Sequence, residues 1–71
     1  MSKPYEANAR RMTRRAWICL GKAREARSNA TFIEKDDWLR PILLIYVRDM
    51  TSCARSYSKQ AVFYRQMNEV L

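Results

Sequence analysis

Residues 39–71 read LRPILLIYVRDMTSCARSYSKQAVFYRQMNEVL, and mostly large side chains recur in this stretch at alternating spacings of four and three residues. The recurring residues are Leu39, Leu43, Tyr46, Met50, Cys53, Tyr57, Gln60, Tyr64, Met67 and Leu71. Residues three and four apart lie one above the other on one face of a helix, as in coiled-coil-like packing. The spacing therefore predicts a long second helix with one continuous contact face.

A row with the same spacing precedes it and consists mostly of small residues. Its members are Tyr5, Ala9, Met12, Ala16, Cys19, Ala23, Ala26 and Ala30. A row of small residues on one helix can receive a row of large residues on another. We therefore predict an all-α fold, an antiparallel two-helix hairpin that forms a single domain over residues 1–71.

The connection between the two helices leaves alternatives open. The first helix is expected over about residues 4–28, and Thr31 begins a capping-box pattern that would start a new helix. Pro41 within a helix would remove a hydrogen bond, so we expect the second helix to be kinked or restarted there. A short strand over residues 31–33 also stays open, because this segment contains β-branched and aromatic residues.

The apolar residues favour an assembly of more than one chain. A chain of 71 residues buries little surface when it folds alone. Residues 17–20 and 42–47 are apolar around most of the helix circumference, which is typical of a buried helix. We therefore predict a homodimer that forms a four-helix bundle. The predicted dimer or partner contacts are Trp17, Ile18, Leu20, Trp38, Ile45 and Phe63.

The net charge of +7 indicates an acidic partner, and the excess is concentrated in residues 1–30, which hold eight basic and two acidic side chains. An Arg-Arg-x-x-Arg-Arg block and a second basic row supply candidate contacts to an anion or to nucleic acid. These candidates are Arg10, Arg11, Arg14, Arg15, Arg48, Ser52, Arg55 and Lys59. Arginine binds phosphate or carboxylate in a bidentate manner, although a solvated surface would have the same composition.

Catalysis is not expected from this composition. The chain has no His, the commonest general base and metal ligand, and its two cysteines cannot form a zinc site. We therefore predict no enzyme, no cofactor and no metal. Cys19 and Cys53 are both expected in the contact face as free thiols, and a bridge between them stays open.

Two functional classes remain. The sequence favours a protein-binding regulator or adaptor that docks on an acidic or apolar protein surface. Small chains of one module are frequent in phages and plasmids, so this class includes a modulator of host machinery. The alternative is a nucleic-acid-binding accessory protein that contacts phosphates, although no known nucleic-acid-binding motif is present. We expect a cytoplasmic protein, because the longest apolar run, over residues 41–47, is too short to span a membrane, and peripheral membrane binding is not favoured.

Overall fold

A computed structural model describes residues 4–70 and contains two helices, α1 (Glu6–Thr31) and α2 (Leu39–Val70). The helices pack against each other as an antiparallel hairpin, a rod of 55 × 15 × 10 Å, and residues 4–70 contain no strand. The pairing is antiparallel because Tyr5 contacts Asn68 near the open end and Ala26 packs near Val47 towards the closed end. The predicted all-α hairpin is confirmed.

The contact face of α1 is the one predicted from the sequence. The buried residues of α1 are Ala9, Met12, Ala16, Ala23, Ala26 and Ala30. Tyr5 and Cys19, the other two members of the predicted row, are half-buried. Alanine recurs at every seventh position of this face, so the α2 backbone can lie close to α1 over its length.

The contact face of α2 differs from the prediction. Its buried residues are Val47, Ala54, Ala61 and Asn68, and they alternate with half-buried Leu43, Met50, Tyr57 and Tyr64. Tyr46, Cys53 and Gln60, predicted to face α1, are exposed. The face is therefore turned by about 50°, half of the 100° between successive residues of a helix. Small residues at positions 54 and 61 fit closely against the alanines of α1, whereas larger side chains would hold the helices apart.

The closed end of the hairpin corrects two expectations. Thr31 is the last residue of α1, and its Oγ1 donates a hydrogen bond to the Ser28 carbonyl oxygen at 2.6 Å. The Phe32 N–H then donates to the Asn29 carbonyl oxygen at 3.1 Å. Thr31 thus ends one helix and does not begin another, and residues 31–33 form no strand. Burial of Ala30 extends the helix past the expected stop near Ser28.

The start of α2 is fixed by an aspartate. Asp37 Oδ1 accepts a hydrogen bond from the Leu39 N–H at 2.9 Å, as a capping side chain does. Pro41 is then the third residue of α2. Its missing N–H belongs to the first turn, where backbone N–H groups have no partner within the helix. A kink of the helix at this position stays a prediction.

A buried amide closes the open end. Asn68 Oδ1 accepts a hydrogen bond from the Tyr5 N–H at 2.9 Å, and the rings of Tyr5 and Tyr64 stack with centroids 5.8 Å apart. Asn68 is 7% exposed and is the buried polar side chain of the described residues. It joins the start of α1 to the end of α2, so both helix ends depend on it.

We predict that Ala54→Leu lowers the free energy of unfolding by about 1–3 kcal/mol, because the larger side chain overpacks a closely packed interface. Cys53→Leu, one position away on the exposed face, should change it little. Urea unfolding of both variants at one protein concentration measures the difference. Equal losses at the two positions would contradict the orientation of α2.

We also predict that Asn68→Ala lowers the free energy of unfolding by about 0.5–1.5 kcal/mol, since the Tyr5 N–H loses its acceptor. Gln60→Ala is the matched control, because Gln60 is exposed and its amide reaches only Ser56 Oγ, at 3.4 Å. Thermal unfolding by circular dichroism measures both. A larger loss at Gln60 than at Asn68 would contradict the described helix phase.

Candidate binding surfaces

An open groove of about 500 Å³ runs along one edge of the hairpin, near its closed half. It is lined by Arg27, Leu44, Val47, Arg48, Thr51, Ser52 and Arg55. Three arginines from both helices therefore line one groove together with the Ser52 hydroxyl, whereas the Thr51 hydroxyl already donates to the Val47 carbonyl oxygen at 2.8 Å. Such a set of donors suits a polyanionic ligand.

The helix phase places these arginines at the edge. Arg48 and Arg55 directly follow Val47 and Ala54, which face α1. Each arginine therefore lies beside the contact face and on the same side of it. The two are seven residues apart, which corresponds to about 10 Å along the helix. Arg27 follows buried Ala26 in the same way on α1.

Two smaller grooves continue this edge towards the open end. The first, about 230 Å³, shares Arg27 and Thr51 with the large groove and adds Arg24. The next, about 220 Å³, shares Leu20 with the first and adds Trp17 and Arg65. We call the arginines of these three grooves the basic edge: Arg24, Arg27, Arg48, Arg55 and Arg65.

The basic edge carries little compensating negative charge. Within residues 4–70, neither Asp nor Glu lines any of the three grooves. Arg48 Nε lies 4.0 Å from Asp49 Oδ1, at the limit of an ion pair, and Arg65 Nη2 donates to Thr13 Oγ1 at 3.1 Å. Trp17, 64% exposed, lines the same groove as Arg65. The edge thus combines several guanidinium groups, few of them near a carboxylate, with an exposed aromatic residue.

The arginine block of α1 is distributed over several environments. Arg10 Nη2 forms an ion pair with Glu6 Oε1 at 2.6 Å, whereas the Arg15 guanidinium lies 5.9 Å from the centre of the Tyr57 ring. Arg11 and Arg14 are exposed. In the second predicted row, Arg48, Ser52 and Arg55 line one groove, and exposed Lys59 is not among its lining residues.

Three arginines of the basic edge were not predicted as site residues. Arg24 and Arg27 lie on α1 and Arg65 lies near the end of α2, each outside the arginine-rich block. Their common feature is a position beside the contact face on the same edge. That feature becomes visible only when the orientation of α2 is known.

Large apolar side chains lie on the outside of the hairpin. Of the predicted contacts, Trp17, Ile18, Trp38, Ile45 and Phe63 are exposed, and Leu20 is half-buried. Trp38 and Phe63 are 73% and 56% exposed. The contacts between α1 and α2 leave these side chains uncovered.

The two cysteines are separate. Both are free thiols; Cys19 is half-buried and Cys53 is exposed. α2 is rotated about its axis relative to the prediction, so that Ala54 faces α1 and Cys53 faces away from it. The expected placement of Cys53 in the contact face is therefore wrong. In residues 4–70, no group of three or more Cys, Asp or Glu side chains is close enough to hold a metal ion.

Comparison with known proteins gives no match: neither a protein-family model, nor a curated protein, nor a solved structure is similar to this chain. Between residues 4 and 70, no helix has a stretch long and apolar enough to cross a membrane.

Proposed function

We propose that this protein binds nucleic acid through the basic edge and acts as an accessory protein that contacts the phosphate backbone. The observation that carries the proposal is the alignment of five arginines along three connected grooves that, within residues 4–70, no carboxylate side chain lines. Phosphate contacts supply most of the affinity of non-specific nucleic-acid binding.

The form of the edge favours a polymer over a small anion. Positions 48 to 65 span about 25 Å of α2, at about 1.5 Å per residue. The grooves are open along this length, so an extended strand can follow them. Arginine forms bidentate contacts with phosphate, and Trp17 offers a surface on which an unpaired base can stack.

The basic edge makes nucleic-acid binding the first candidate function, whereas the sequence alone favours protein binding. The sequence favours a protein-binding regulator because no nucleic-acid-binding motif accompanies the charge. Arg24, Arg27 and Arg65 extend the short row of Arg48 and Arg55 into a continuous basic surface on two helices. A continuous surface supports phosphate binding without any sequence motif.

A protein-binding regulator or adaptor is the second candidate. Phe32, Leu39 and Tyr46 are exposed near the closed end, and Phe32 is 85% exposed. None of them lines the grooves of the basic edge. Apolar side chains that are exposed at one end of the hairpin offer a contact surface for another protein.

A homodimer is part of the proposal. Trp38, directly before α2, and Ile45 and Phe63 on α2 are exposed, and they are spaced at nearly whole helical turns. Monomeric proteins rarely leave such large apolar surface uncovered. Two hairpins that share this surface would remove it from water and build a four-helix assembly. A cytoplasmic location, where nucleic acid is available, is also proposed.

The salt dependence of binding tests the nucleic-acid function. A 20-base-pair duplex and a 20-nucleotide single strand are titrated with protein at several salt concentrations, with fluorescence anisotropy as the readout. Each phosphate contact contributes about 0.7–0.9 to the slope of log affinity against log salt. Replacing Arg27 and Arg55 by Gln should flatten the slope by nearly two, and should weaken binding to unrelated sequences equally.

The matched control replaces Arg11 and Arg14 by Gln, which removes the same charge from the exposed outer side of α1. This variant should retain most of the wild-type slope. If both double variants lower the slope equally, binding depends on the net charge of the protein and not on the basic edge. Absence of binding at about 50 mM salt, where screening is weak, would overturn the proposal and leave an acidic protein surface as the ligand.

A further inference from the structure

Besides the contact rows of α1 and α2, a further row of residues with alternating spacings of four and three lies on the outer side of α2. It begins at Trp38, which directly precedes α2, and ends at Val70, and every side chain in it is exposed. Its ends are apolar, with Trp38, Ile42 and Ile45 towards the start and Phe63 and Val70 towards the end. Its middle, between positions 49 and 59, is polar.

This row is symmetric about its centre, position 54. Each member has a partner in the row at an equal distance on the other side of the centre. Ile45 corresponds to Phe63 and Trp38 corresponds to Val70, so apolar residues match apolar residues. One of the apolar side chains, Ile42, corresponds instead to Gln66 and forms the exception.

In the polar middle of the row, the two charged residues related by the symmetry have opposite signs. Asp49 corresponds to Lys59, and Ser52 corresponds to Ser56. If two copies of α2 lie antiparallel and centred on position 54, each Asp49 faces the partner's Lys59, and the apolar ends cover each other. If the copies lie parallel and in register, Asp49 faces the partner's Asp49 and Lys59 faces the partner's Lys59. Like charges that face each other across an interface oppose association.

We infer that two copies of this chain associate through the outer side of α2, antiparallel and centred on position 54. The inference rests on the homodimer proposed above and specifies its surface and register. Because the outer row lies on the side of α2 away from α1, the two α2 helices lie in the middle and the two α1 helices outside. The assembly is then a layer of four helices, which is flatter than a square bundle.

Symmetry also determines where the two basic edges lie. The two-fold axis that relates two facing antiparallel helices is perpendicular to them and parallel to the surface between them. A rotation about this axis reverses the helix direction but keeps each lateral edge on its own side. The basic edges of both copies therefore lie on the same side of the dimer, and the dimer presents twice the arginines to one nucleic acid. A parallel dimer would place them on opposite sides.

Charge reversal tests the register. Wild-type protein at about 10–100 µM should sediment near twice the chain mass of 8.5 kDa. Asp49→Lys places a lysine opposite the partner's Lys59, so it should raise the dimer dissociation constant by roughly tenfold. The double variant Asp49→Lys with Lys59→Asp restores opposite charges at both contacts and should regain the wild-type constant.

Disulfide trapping supplies an independent measurement. In a background with Cys19→Ser and Cys53→Ser, one chain carries Asp49→Cys and a second chain carries Lys59→Cys. A mixture should form a disulfide between the two kinds of chain under mild oxidation. A dimer of Asp49→Cys chains alone, or of Lys59→Cys chains alone, should not cross-link readily. The introduced cysteine of one copy would lie about 15 Å along the dimer from that of the other copy.

The outcomes separate the inference from the proposals on which it rests. A wild-type chain that sediments as a monomer overturns the homodimer itself. The antiparallel register alone is overturned if the wild-type chain dimerises but Asp49→Cys chains cross-link with one another and charge reversal leaves the dissociation constant unchanged. Neither outcome bears on nucleic-acid binding, which the salt dependence of wild-type protein measures separately.

Discussion

The close approach of α1 and α2 through alanine is the constraint on which the rest of the structure depends. Alanine occupies every seventh position of the α1 face from residue 9 to residue 30, and Ala54 and Ala61 face it from α2. Among residues 4–70, no large side chain is fully buried between the helices. The hairpin is therefore held by many small contacts along its length, and the polar contacts of Asn68 and Asp37 fix its two ends.

A contact face made of small residues leaves the large ones outside. Trp17, Trp38 and Phe63 are each more than half exposed, although such residues usually supply the core of a small domain. The same geometry places arginines at the edge, because a residue that directly follows a buried one in the sequence lies beside the contact face. The basic edge and the apolar outer side of α2 are thus two consequences of one packing arrangement. A chain that places its aromatic and basic residues outside has surface available for binding.

The sequence was sufficient to predict much of the fold but less of the site. The α1 face follows from its alanines, since no other row of α1 has comparable periodicity and small size. On α2 more than one row has the same spacing, and the larger side chains of Tyr46, Cys53 and Gln60 favour one that the structure does not turn towards α1. The distance between the helices is set by α1, and only Val47, Ala54 and Ala61 fit that distance. Arg48, Ser52 and Arg55 were recognised as a row, whereas Arg24, Arg27 and Arg65 join them only through the packing of two helices.

The most direct measurement of the central claim, that the basic edge is the binding surface, is residue-by-residue mapping by nuclear magnetic resonance. A 20-base-pair duplex is added to ¹⁵N-labelled protein at low salt, and the amide shifts of the whole chain are followed. Shifts concentrated at residues 24, 27, 48, 51, 55 and 65 are the result expected for the basic edge. Shifts concentrated at residues 11 and 14, on the outer side of α1, or spread evenly over all basic residues, would contradict it.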